Sequence, residues 1–142
     1  GAVGRVSPTY YVQDGVVPRT KIAPTLRFIG EVARKRGLTI SNIFHAGDGN
    51  MHPIILFNPR IPGDLEKARA AGEEILTYCI EAGGSITGEH GVGMEKNELM
   101  AKLFTPDTLD MIRRLKVLFD PDNRLNPGKI LPTGRGCREI RQ

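Results

Sequence analysis

Tryptophan is absent from this sequence, aromatic residues make up 6% of it, and there are two cysteines and three histidines. Two cysteines, Cys79 inside a helical pattern and Cys137 in a polar tail, have no spacing that suggests a disulfide framework or a thiolate metal site. A reducing, cytoplasmic compartment is therefore expected, with peripheral attachment to the inner face of a membrane kept open. No window approaches the ~20 consecutive apolar residues of a membrane-spanning helix. The first residues, GAVGRVSPTYY, lack both a basic region followed by an apolar stretch and an initiator methionine, which reads as a fragment boundary rather than a targeting peptide.

The net charge of +4 is equally uninformative about partners. It resides in residues 124–142, where Arg124, Lys129, Arg135, Arg138 and Arg141 stand against Glu139, while the preceding 123 residues hold 15 side chains of each sign. Without a basic stripe or interleaved aromatics, nucleic-acid binding is not expected.

What is present is a series of apolar patterns whose period changes along a chain of one-domain length. PTYYVQDGVVP (8–18) reads as extended. KIAPTLRFIGEVARKRG (21–37) places Ile22, Leu26, Ile29 and Ala33 at helical spacing and stops at Gly37. LTISNIFHAGD and NMHPIILFN read as two strands about a turn. Residues 62–84 form the strongest helical stripe, through Leu65, Ala68, Gly72, Ile75, Cys79 and Ala82. Residues 105–121 form another, capped by Thr105 before Pro106, with Met111, Ile112, Leu115, Leu118 and Phe119 on one face. This order predicts an α+β fold of ferredoxin-like type: an antiparallel sheet with helices on one face, then a helical C-terminal segment and an extended tail.

All three histidines fall in glycine-rich segments: His45 and His52 in FHAGDGNMH, His90 in GGSITGEHGVG. Asp48-Gly49 is a preferred centre for a two-residue type I′ turn, and counting outward from it pairs His45 with His52. Directly opposed residues share a face with Cβ atoms ~4.5–5.5 Å apart, so two imidazoles there can reach one metal ion. Glu89 is the candidate third ligand, and two histidines plus a carboxylate leave coordination positions open, as catalytic metal sites do. His90, the next residue, projects elsewhere and suits a general base. Arg19, in VVPRTK, and Asn50, between the two histidines, are candidate substrate contacts. The same ligand set would also serve a self-contained zinc hydrolase, and a non-catalytic interaction domain with structural histidines is a third reading.

Four stretches, GRVSPTYYVQDGVVPR, FHAGDGNMHPIILF, GGSITGEHGVGMEK and FDPDNRLNPGKILP, resemble the C-terminal region of FAD-linked 2-hydroxy-acid oxidases and dehydrogenases, the glycolate-oxidase flavoprotein branch in particular, over residues 4 to 132. The resemblance implies that residues 1–142 are a substrate-binding cap domain that follows an N-terminal FAD domain. It implies oxidation of glycolate or D-lactate-type 2-hydroxy acids to 2-oxo acids. His45, His52 and Glu89 fall at the places of the family's metal ligands, for zinc or else manganese or iron, and His90 at that of the base. Asn126 and Lys129, in the NPGK turn, are implied contacts to FAD or its domain. Partners implied are that flavin domain and, in glycolate oxidase complexes, iron-sulfur and second flavoprotein-like subunits.

Overall fold

The computed structural model describes residues 2–7 and 9–132. They fall into two compact units, Gly1–His90 and Gly91–Gln142. The first contains α1 (Ala2–Val6), β1 (Tyr10–Val12), β2 (Gly15–Val16), α2 (Ile22–Arg36), β3 (Thr39–His45), β4 (Asn50–Leu56) and α3 (Asp64–Glu81). Sequence reasoning expected all of these but α1, whose five residues are too short to show a period.

The helices end where their sequences stop them. At the end of α2, Gly37 adopts a left-handed φ of 63°, so its N–H reaches the Arg34 carbonyl and that of Leu38 reaches Ala33. Along α3 the inward stripe is largely small, with Ala68, Ala71 and Gly72 buried beside Ile75, Leu76 and Cys79. That lets the helix approach closely: a Cβ at residue 72 would lie 2.6 Å from the Gln13 amide nitrogen. Lys35 and Arg36 of α2 hold Glu74 of α3 at 2.9 and 2.6 Å.

The sheet is antiparallel, with β4 at its centre, β3 along one side and β1 then β2 along the other. An isolated bridge from Val16 to Ser85 continues past β2. The spatial order is that of the ferredoxin-like βαββαβ arrangement, its last strand reduced to this bridge.

The extended stretch 8–18 proves to be one strand with a gap. Register carries through unchanged from Val12↔Ile54 to Gly15↔Met51, so Gln13 stands opposite Pro53 and Asp14 opposite His52. The Gln13 N–H donates to the Pro53 carbonyl at 3.0 Å, but proline has no N–H to return. The ladder is thus interrupted there by one missing donor, not by a bulge.

The two faces of the sheet differ. Met51 and Ile55 of β4 join Val17, Ile29, Val32, Ala68, Ala71, Ile75 and Cys79 in the core beneath α2 and α3. By strand alternation, Asp14, His45, Asn50, His52 and Ile54 belong to the opposite face, turned away from α2 and α3. Cys79 is a free thiol in that core, and burial pushes its pKa up to about 12.

The second unit contains α4 (Met100–Leu103) and α5 (Pro106–Phe119). Thr105 caps α5 by accepting the Thr108 N–H at 3.3 Å, with Pro106 at the first helical position, as the sequence indicates. Its only buried residue is Leu109; Met111, Leu115, Leu118 and Phe119 face outward. After the helix, Asp120 accepts the N–H groups of Arg124 and Leu125 and pairs with Lys116. Of the basic tail, Arg135, Arg138 and Arg141, together with Cys137 and the end of the extended tail, lie outside the described residues. Among the described residues no helix is long and apolar enough to cross a membrane.

Candidate functional site

The hairpin that carries two of the histidines differs from the expected one. Four residues, 46–49, form its turn, and His45 pairs with Asn50 while His52 pairs with Ile43. Asp48 accepts the Asn50 N–H at 3.1 Å, and both Asp48 and Gly49 donate to the His45 carbonyl. The Asp-Gly pair thus closes a longer loop instead of centring a two-residue turn. Gly49, at φ 80°, lies where a Cβ would be 2.0 Å from the Val17 carbonyl oxygen, because its own carbonyl is recruited by the Val17 N–H. Direct opposition of the histidines is therefore incorrect. The register has slipped by two residues, however, and an even slip leaves every side chain on its face. His45 and His52 become diagonal neighbours, with ring centroids 5.4 Å apart and nearly perpendicular.

Glu89 and His90 join them from the loop that follows the Ser85 bridge. One Glu89 carboxylate oxygen is 3.4 Å from His45 Nε2 and the other 3.6 Å from His52 Nε2. Those separations are long for hydrogen bonds. They are near the ~3.4 Å that separates donors around an ion with tetrahedral bonds of about 2.1 Å, with each histidine facing a different carboxylate oxygen. His45, His52 and Glu89 have donor atoms all within 4.8 Å of one another, so these three residues could hold one divalent ion. His52 is largely buried while His45 and Glu89 are each about half exposed, at 53% and 52%, leaving the outer side of the cluster open. The His90 ring stacks on that of His52 at 4.9 Å and 18°, beside the donor cluster rather than in it.

Asp14 carries no signal in the sequence beyond being an acid in an otherwise apolar strand, and it was not among the expected site residues. It is fully buried. Its Oδ2 accepts four hydrogen bonds from consecutive residues of the Glu89 loop: the Thr87 hydroxyl at 2.6 Å, then the N–H groups of Gly88, Glu89 and His90 at 2.8, 3.0 and 2.9 Å. Burial pushes its pKa up, but those four donors outweigh burial and hold the carboxyl well below the usual carboxylate range. Asp14, His52 and His90 form a second possible donor group, sharing His52 with the first. The four hydrogen bonds already taken by Asp14 make it the poorer ligand of the two carboxylates.

The remaining expected residues are scattered. Asn50 is buried, its amide against Gly88, where a Cβ would come within 2.8 Å of it. Arg19 is exposed in a 3-10 turn (Arg19–Lys21), its backbone near the hairpin turn at Gly49. Asn126 and Lys129 belong to the second unit, both exposed, with the ammonium donating to the Asn126 side-chain oxygen at 3.0 Å. Beside the histidines, a cavity of 510 Å³ is lined by Val3, Tyr10, Val12, Ile43, His52, Ile54 and His90.

The chain is 47% identical over 139 residues, 98% of its length, to glycolate oxidase subunit GlcD of Escherichia coli strain K12, covering 28% of that protein. It is 40% identical over 91% of its length to GlcD of Bacillus subtilis, covering 27% of it, and 38% identical over 84% to a D-lactate dehydrogenase of Archaeoglobus fulgidus, covering 26%. The chain thus spans little more than a quarter of these relatives. Residues 1–130 match the family described as FAD linked oxidases, C-terminal domain, and the chain belongs to that family.

Proposed function

We propose that this chain is the substrate- and metal-binding part of an FAD-dependent oxidoreductase that converts a small 2-hydroxy acid, glycolate or D-lactate, to its 2-oxo acid. The observation that carries the reading is the convergence of His45, His52 and Glu89 on the face of the sheet turned away from α2 and α3. Relatives named as a glycolate oxidase subunit and D-lactate dehydrogenases support the substrate class. Membership of an FAD-linked family favours this reading over a self-contained zinc hydrolase or an interaction domain.

A divalent cation, zinc first and manganese or iron as alternatives, would be held by His45, His52 and Glu89 and supply Lewis acidity toward the substrate's hydroxyl and carboxylate oxygens, while FAD, held mainly by a flavin domain elsewhere in the polypeptide, supplies the hydride acceptor. His90 takes the hydroxyl proton as general base, its ring fixed by stacking on His52. Tyr10, Val12, Ile43 and Ile54 bound the cavity beside it and offer an apolar wall to the substrate's carbon end. Arg19 offers a guanidinium to the substrate carboxylate or to the flavin domain, and Asn50, packed against Gly88, backs the substrate side of the Glu89 loop. Asn126 and Lys129 contact FAD or its domain. Iron-sulfur and second flavoprotein-like subunits take the electrons onward.

The test is elemental analysis of the full-length protein purified without chelator or histidine tag, followed by assays with glycolate and D-lactate before and after metal removal. About one equivalent of divalent metal, and activity that leaves and returns with it, are expected. A fully active metal-free enzyme would sink the proposal.

A further inference from the structure

We infer that Asp14 is a positioning residue that prepares the whole cluster for a cation: with one oxygen it sets the tautomer of His52, and with the other it fixes the loop bearing Glu89 and His90. The inference rests on the metal-binding reading above.

The fold places Asp14 for both tasks. It stands opposite His52 across the sheet, on the same face, at the point where Pro53 interrupts the ladder. Its Oδ1 lies 3.7 Å from His52 Nδ1, within ion-pair range. That nitrogen is buried and makes no hydrogen bond in the structure. A buried polar atom left so is destabilising, and a closure of about 0.7 Å onto Asp14 would satisfy it. An ionised carboxylate is acceptor only, so the facing Nδ1 must carry the proton. The lone pair of a neutral His52 then sits on Nε2, the nitrogen that faces Glu89 at 3.6 Å.

Meanwhile Oδ2 gathers the Thr87 hydroxyl and three successive N–H groups. Three donors pointing at one oxygen fix the backbone of residues 88–90, from which the Glu89 carboxylate and the His90 ring project. One buried side chain thereby sets the orientation of three of the four site residues.

Replacing the carboxylate by an amide separates the two tasks. In Asp14→Asn the amide oxygen can still accept the loop's N–H groups, but the NH₂ then faces His52 Nδ1 and donates to it. That forces the His52 proton onto Nε2 and removes the lone pair a cation needs. The experiment uses full-length protein, stripped of metal and labelled with ¹⁵N-histidine, at about pH 8.5, above the ordinary imidazole range of about 6.5. Wild type should show the Nδ1–H tautomer at His52 and Asp14→Asn the Nε2–H tautomer, with zinc affinity by calorimetry falling ~10–100-fold, the usual loss for an outer partner of a metal histidine. Thr87→Val, which removes one loop donor and leaves the carboxylate facing His52, should keep the wild-type tautomer. An Nε2–H tautomer in wild type, or an unchanged tautomer and zinc affinity in Asp14→Asn, overturns the inference. Should Asp14→Asn fail to fold by circular dichroism, the wild-type tautomer decides alone. If the tautomers behave as described but no variant binds zinc, the metal reading fails and the role of Asp14 toward His52 stands.

Discussion

The long helices of the two units use their apolar stripes in opposite ways. Up to His90, Ile29, Val32, Met51, Ile55 and Ile75 are each no more than 1% exposed, packed between helices and sheet. After it, α5 turns Leu118 and Phe119 outward at 72% and 78% exposure, beside a groove of 330 Å³ lined by Ile112, Leu115, Phe119, Leu125 and Ile130. Both helical stripes have the same 3.6-residue period in sequence. The contrast teaches that periodicity reports which residues share a face, while only a facing element decides whether that face becomes core.

The sharpest form of the comparison concerns chemistry, since the proposed cluster lies wholly in the first unit. His90→Ala in the full-length enzyme should retain metal and lose turnover ~10²–10⁴-fold, the share of a positioned base. Glu89→Gln, His45→Ala and His52→Ala should lose metal and turnover together, by more than the ~10–100-fold that outer partners cost. Metal analysis beside steady-state rates distinguishes the two classes, and metal loss in His90→Ala with retention in Glu89→Gln would reverse the assignments.

Stability gives the next contrast. Ile55→Ala should cost about 2–5 kcal/mol, because a fully buried side chain leaves a cavity the sheet cannot close. Phe119→Ala should change stability by less than about 0.5 kcal/mol. Urea midpoints of this 142-residue chain decide it. An equal loss at both positions would mean that the α5 face is covered in solution.

Acid should loosen the second unit locally. The Lys116 ammonium, together with the Arg124 and Leu125 N–H groups, holds the Asp120 pKa below its usual value against the opposing effect of burial. A depressed folded pKa means the contribution is complete above the unfolded value of about 3.9 and is lost as pH falls through the folded one. The Arg124 and Leu125 amides should therefore exchange faster below about pH 4, and Asp120→Asn should abolish that dependence. Exchange rates that do not respond to pH beyond the intrinsic change would count against this anchoring.

The smallest effect is expected at the exposed tie between α2 and α3. Lys35→Ala should cost about 0.3–1 kcal/mol, since Lys35 is mostly solvated and Arg36 still holds Glu74. A larger loss in thermal unfolding would show that the pair acts as a network.

The sequence by itself determined the longer helices and strands, the faces of the histidine hairpin and the family. Stripes in α2 and α3, the caps at Gly37 and Thr105, and the glycine-rich settings of all three histidines depend on neighbours within a few residues, where period and turn chemistry operate. His45 and His52 share a face for the same reason, which is why a register displaced by two left the donor cluster intact. Tertiary structure alone decided the rest. The hairpin turn lengthened because the Gly49 carbonyl is claimed by the Val17 N–H, just past β2. The long extended stretch lost its ladder midway because Pro53, 40 residues on, has no N–H to offer Gln13. Asp14 became the anchor of the cluster because its partners are 38 and 73 to 76 residues away. Contacts over such separations leave no local period in a sequence; they exist only once the sheet has brought its strands together.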